Sequence, residues 1–115
     1  MTNLSERVMS LSGPDREVDW QIAESLGWTR RQVGQVMAYY APNDAIMKAG
    51  PPKWTASIDA AMTLVPEGWG FKLRRWAAGR ACAGVYPPEG ADDWREAATP
   101  VLALCAAALL AREAI

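Results

Sequence analysis

The chain has 115 residues, half of them apolar, and a formal net charge of −1. That length holds one core of ordinary size, so a single domain over residues 1–115 is expected. The near-neutral total excludes a global field that would draw nucleic acid or a charged membrane to the whole surface. Charge is nonetheless unevenly spread. Residues 29–53 and 67–88 each carry four positive charges against one negative, whereas residues 1–28 and 89–115 each carry two positive against five negative.

Asn3 with Glu6 has capping-box spacing, and Leu4, Val8 and Leu11 then share one helical face. Gly13-Pro14 interrupts that helix. Ser12 is the expected cap of the next, with Asp15 and Glu17 in its first turn, Val18, Ile22 and Leu26 as its inward stripe and Gly27 as its stop. Residues 29–53 read two ways. Thr29 with Gln32, and the spacing of Val33, Val36, Met37 and Tyr40, suit a helix, while the alternation of Val36, Ala38 and Tyr40 suits a strand. Pro42-Asn43-Asp44 and Gly50-Pro51-Pro52 signal loops.

A short helix is expected over residues 57–64, capped by Ser57 or Thr55 and ended by Pro66-Glu67-Gly68. Residues 69–76 carry the clearest strand pattern: Trp69, Phe71 and Leu73 face one way, Lys72, Arg74 and Trp76 the other. Ala77-Ala78-Gly79 turns the chain into a second strand over residues 80–86, closing a hairpin that ends at Pro87-Pro88-Glu89-Gly90. Residues 91–98 are polar and acidic around Trp94. Thr99 caps, and Pro100 opens, a last helix reaching about Glu113. It is apolar on nearly every side over residues 101–111, which places it at the centre of the core.

The chemistry open to this chain is narrow. It has no histidine, which removes the usual general base, the Ser-His and Cys-His nucleophile pairs and the commonest transition-metal ligand. Cys82 and Cys105 stand in apolar stretches without metal-ligand spacing and read as buried thiols of a reducing compartment. Asp92, Asp93, Glu89 and Glu96 match no calcium loop and read as a solvated acidic turn. No phosphate-binding glycine loop or nucleophile elbow is present, so neither an enzyme nor a cofactor is expected. Residues 1–12 lack the pattern of a signal peptide, and the apolar run over residues 101–111 is about half of a bilayer crossing. A cytoplasmic protein is expected.

Two features suggest binding. IAESLGWTRRQVGQVM (residues 22–37) resembles a helix-turn-helix, with Arg30, Arg31, Gln32 and Gln35 positioned for a DNA groove. Gly34 in the supposed recognition helix and the acidic residues before it oppose that reading. The second is the aromatic and basic hairpin, where Trp69, Phe71, Lys72, Arg74, Arg75, Trp76, Arg80 and Tyr86 lie close in sequence. Aromatic faces stack on planar bases and guanidinium groups pair with phosphates. The competing reading is a hairpin whose apolar face packs on the last helix while its basic face is merely solvated.

WTASIDAAMTLVPEGW (residues 54–69) and EAATPVLALCAAALLAR (residues 96–112) together resemble the phage ABA-sandwich domain family. GPDREVD (residues 13–19) and IAESLGW (residues 22–28) are similar to its N-terminal helix. The resemblance implies an α+β fold, a small, mainly antiparallel β-sheet sandwiched between α-helices, in a phage or prophage protein within a bacterial host cell. It also implies that the chain beyond Trp28 approaches the sheet rather than forming a recognition helix. The matching residues Trp54, Thr55, Ser57, Asp59, Glu96, Thr99 and Pro100 can all be read structurally. Equally, an uncapped helix N-terminus beside Thr55 and Ser57 would bind an anion.

The expected function is a non-enzymatic binding protein that holds a small phosphorylated or nucleotide ligand, as a sponge for a nucleotide-derived signal of bacterial antiphage defence. Its candidate ligand residues are Trp54, Thr55, Ser57, Trp69, Lys72, Arg74, Arg75, Trp76 and Arg80. A homo-oligomer is expected, because a site between subunits encloses a ligand more fully than one small domain does. The alternatives are a protein-interaction module that inhibits a host defence protein through exposed aromatic residues, and a DNA binder acting through residues 22–40.

Overall fold

A computed structural model of the chain describes residues 4–41, 50–75, 79–89 and 93–113. In chain order its elements are α1 (Leu4–Met9), α2 (Arg16–Ser25), β1 (Thr29–Val33), β2 (Val36–Tyr40), α3 (Ile58–Met62), β3 (Gly70–Arg75), β4 (Ala81–Tyr86), β5 (Asp93–Ala97) and α4 (Pro100–Glu113). β3, β4 and β5 form an antiparallel sheet in sequence order, and β1 with β2 forms a separate antiparallel hairpin. The fold is α+β, with helices packed against the three-stranded sheet.

The expected first helix is present as α1, where Val8 is buried and Leu4 and Leu11 pack partly against the core; its Asn3 cap lies outside the described residues. Ser12 does not cap α2. Asp15 does: its extended backbone (φ −144°) lets Oδ1 accept from the amides of Glu17 and Val18 at 2.9 and 3.3 Å. Pro14 disfavours helical geometry in the residue before it, and the helix starts three residues later than a Ser12 cap would place it. The far end behaves as expected. Gly27 takes φ +95°, its N–H bonds Glu24 O, and the Trp28 N–H reaches back to Ala23 O at 2.9 Å. This is a Schellman stop, and it turns the chain out of the helix.

Beyond Trp28 the chain forms a hairpin, so the helix-turn-helix geometry over residues 22–40 is corrected. Thr29 pairs with Tyr40 and Val33 with Val36, leaving a two-residue turn whose first residue, Gly34, takes φ +66°. Two-residue hairpin turns require positive φ at that position, and glycine alone adopts it without steric cost. The glycine that weakened the recognition helix is the residue that makes the turn. Pro42-Asn43-Asp44 and Asp92 lie outside the described residues; the solvated acidic turn expected around Asp92 is corrected at Asp93 and Glu96, which belong to strand β5.

α3 forms where the sequence placed it, with Ser57 as N-cap: its Oγ accepts from the Ala60 amide at 3.3 Å. Arg112, in the last turn of α4, donates to Leu64 O and Thr63 O at 2.7 and 3.4 Å and so satisfies carbonyls at the end of α3. α4 itself starts at Pro100, with Thr99 Oγ1 accepting from the Leu102 amide at 3.1 Å. Its residues 102–109 are all buried, because β3, β4, β5, α1 and α3 each pack against it. Ser5 of α1 donates to Ala106 O at 2.7 Å, which docks the first helix on the last.

The sheet and α4 meet through small side chains. Ala81, Ala83 and Val85 of β4 and Ala97 of β5 are buried on one sheet face, opposite the alanine-rich α4. Alanine lets helix and sheet approach closely, and lengthening one of these side chains overpacks the layer. Ala83→Leu is expected to lower stability by about 1–3 kcal/mol in urea denaturation, and an unchanged midpoint contradicts this packing. Cys82 and Cys105 are free and buried, as expected. No described helix is long and apolar enough to cross a membrane.

Candidate functional site

Alternation along β4 sends Ala81, Ala83 and Val85 toward α4, and therefore sends Cys82, Gly84 and Tyr86 to the opposite face of the sheet. The register fixes their neighbours. Arg74, Cys82 and Glu96 form one row across the sheet, Lys72, Gly84 and Trp94 the next, and Gly70 with Tyr86 the third. Among the described residues no helix covers this face, and Lys72, Arg74, Trp94 and Glu96 are exposed on it or half-buried.

The shape of the face is set by its smallest members. Gly84 has no side chain, and Cys82 beside it is short, so the central strand forms the floor of a trough between longer side chains on β3 and β5. A hollow of about 330 Å³ lies over this floor, lined by Arg74, Cys82, Trp94, Arg95 and Glu96. Trp94 stands at its wall with 42% of its surface exposed, an unusual state for the largest apolar side chain.

The third row closes one end. A Cβ on Gly70 would lie 2.5 Å from the Tyr86 ring, so the ring rests directly on the glycine backbone. The Lys72 ammonium stands 5.5 Å from the centroid of that ring. At the other end, Arg80 Nε meets Glu96 Oε1 at 2.5 Å. Both partners are half-exposed, so the pair contributes little stability. It does neutralise Glu96, a carboxylate that would otherwise repel an anion entering the trough.

The expected ligand residues divide accordingly. Lys72 and Arg74 share the open face, and Arg80 joins them through Glu96. Arg75 and Trp69 alternate to the helix side, where Trp69 packs partly against the core. Trp76 lies outside the described residues. Trp54, Thr55 and Ser57 are corrected, because their polar atoms are spent inside the fold. Trp54 is 2% exposed, edge-on to Trp28 at 6.3 Å, with Nε1 donating to Thr63 Oγ1. The Thr55 hydroxyl accepts from the Asp15 amide and donates to Asp19 Oδ1, both at 2.9 Å. Ser57 caps α3, so that helix end is not an uncapped anion site.

Sequence reasoning missed Trp94, Glu96 and the floor at Cys82 and Gly84. Residues 93–97 form β5 although they are mostly charged, and only their alternation, Trp94 and Glu96 against Arg95 and Ala97, could have signalled a strand. A second hollow of about 160 Å³ lies between Arg16, Glu17, Trp20, Arg30 and Pro51. Its arginines are committed elsewhere: Arg16 to Asp19 and to the carbonyls of Pro51 and Pro52, Arg30 to Glu24 and the Trp20 ring. No group of three or more metal-ligating side chains is clustered among the described residues. Comparison with protein-family models, with curated proteins and with solved structures returns no match.

Proposed function

We propose that this chain is a binding protein that holds a planar, phosphorylated ligand of nucleotide type on the open face of its three-stranded sheet. The observation that carries the reading is Trp94, 42% exposed, facing Lys72 across Gly84 with Arg74 in the adjoining row. An exposed indole offers a stacking surface for a base, and two cations on β3 lie within reach of its phosphate. The glycine floor leaves room for the ring between them. With no histidine in the sequence, the residues that line the face suit retention of a ligand better than its conversion. In the phage setting that the sequence resemblance implies, retention lowers the free concentration of a nucleotide-derived immune signal.

Calorimetric titration with AMP and ADP-ribose tests the reading. Binding is expected, and the ligand recovered after denaturation is expected to be chemically unchanged. Trp94→Ala removes the stacking surface and is expected to weaken binding roughly 5- to 150-fold, while the melting temperature stays near that of the unaltered chain. Equal affinity in the variant removes Trp94 from the site. Absence of binding by either compound, or recovery of a cleaved product, overturns the reading.

A further inference from the structure

The open face carries two aromatic platforms, and a mononucleotide occupies only one. Trp94 is opposite Gly84, and Tyr86 lies two residues beyond Gly84 on the same strand and the same face, so the two residues are diagonal neighbours on adjacent strands, with the Tyr86 ring leaning away from Trp94 over Gly70 of β3. Such positions are separated by about 7–8 Å. Stacked bases in a duplex succeed one another at about 3.4 Å, so bases stacked on each other cannot occupy both rings. Bases splayed apart can, which is how single-stranded nucleic acid is held on sheet surfaces. The cations fit the same arrangement. Lys72 stands beside the Tyr86 ring, and Arg74 is one row further along β3 toward Cys82, so positive charge runs along the trough rather than at one point. The Lys72 stem is flexible enough to swing from the ring to a phosphate as a base enters.

We propose, resting on the nucleotide reading above, that the site takes two nucleobases joined by a phosphodiester, one on Trp94 and one on Tyr86, with the phosphate against Lys72 and Arg74. A linear single strand and a cyclic dinucleotide both supply this unit. A base-paired duplex does not, because its base faces are buried.

Fluorescence anisotropy of labelled dT and rU strands of about eight nucleotides, with unlabelled cyclic di-AMP, AMP and a hairpin duplex as competitors, tests the proposal. At least one strand or the cyclic dinucleotide is expected to bind about tenfold or more tighter than AMP, and the duplex more weakly than the strands. Which of the three binds best distinguishes DNA, RNA and cyclic sources. Tyr86→Leu is expected to bring the dinucleotide-to-AMP affinity ratio near one. Gly70→Ala, whose new methyl displaces the Tyr86 ring without deleting it, is expected to do the same and guards against a folding defect in the first variant. AMP binding as tightly as every two-base probe overturns the proposal and leaves the nucleotide reading standing. A duplex bound as tightly as the strands, or a ratio unmoved in both variants, also overturns it. No binding by any probe overturns both.

Discussion

Replacing Asp19 by alanine is expected to lower the unfolding free energy by about 3 kcal/mol, a large part of what holds a domain of this size together. Asp19 is fully buried on α2, and its carboxylate is the acceptor that ties the loop before α3 to that helix. Oδ1 receives the Thr55 amide at 2.8 Å and the Thr55 hydroxyl at 2.9 Å, and Oδ2 receives Arg16 Nη1 at 3.0 Å. Arg16 then spans to Pro51 O at 3.1 Å, so one arginine and one aspartate pin residues 51–55 at two places. Alanine leaves the buried Thr55 amide without its acceptor and the hydroxyl with only its longer bond to Asp15 O at 3.2 Å, so the desolvation of the amide is uncompensated. Asp19→Asn keeps a carbonyl oxygen for Thr55 but loses the charge facing Arg16, so about half the loss is expected. Urea denaturation reads both through the shift in midpoint at constant slope. A loss below about 1 kcal/mol in the alanine variant contradicts the role assigned to this carboxylate.

A second large effect is a fall in stability at alkaline pH that depends on Cys105. Burial, and then the negative charge of Asp19, push this thiol from its ordinary 9.0 up to about 12. In the unfolded chain the thiol loses its proton near the ordinary value, whereas in the native state it keeps it until about pH 12. The folded state therefore binds the extra proton between those limits, and stability falls as pH rises through that window, by roughly 1 kcal/mol per pH unit. Below about pH 9 the thiol is protonated in both states and adds no slope. Comparing the native chain with Cys105→Ala under reducing conditions isolates the effect, because the two chains differ at that thiol alone. The alanine variant is expected to show the shallower decline between about pH 9 and 11, and parallel declines contradict the assignment. The same burial keeps Cys105 unreactive toward thiol reagents until the chain unfolds.

These two groups lie on the side of the molecule that the fold seals, and the candidate site lies on the side it leaves open. The same alternation that buries Ala81, Ala83 and Val85 beneath α4 turns Cys82, Gly84 and Tyr86 outward. Core packing and the candidate site are thereby divided between the two faces of one strand. Substitutions at Trp94 and Tyr86 are expected to act on binding, whereas those at Asp19, Ala83 and Cys105 act on folding.

Several elements could be read from local chemistry alone. Gly27 as a helix stop, Ser57 and Thr99 as caps, Pro100 as the first residue of the core helix and the β3–β4 hairpin each depend on a few adjacent residues. The physical causes are equally local: an orphan amide needs an acceptor, a left-handed residue needs glycine, and a period of two exposes one face. Residues 29–40 stayed ambiguous because their apolar spacing fits both periods, and the positive φ of Gly34 decides for the hairpin. Thr55 looked like a ligand residue because nothing in its neighbourhood reveals Asp19, which lies 36 positions earlier and takes both of its hydrogens.

The same distance in sequence concealed the site. Its floor comes from β4, its cations from β3 and its exposed tryptophan from a charged edge strand that no β-propensity marks. Length set the expectation of one domain, local caps and alternation placed most of the elements, and the absence of histidine narrowed the chemistry open to the chain. Only the strand register, a property of paired chains rather than of any one segment, decided that Lys72, Gly84 and Trp94 stand in one row.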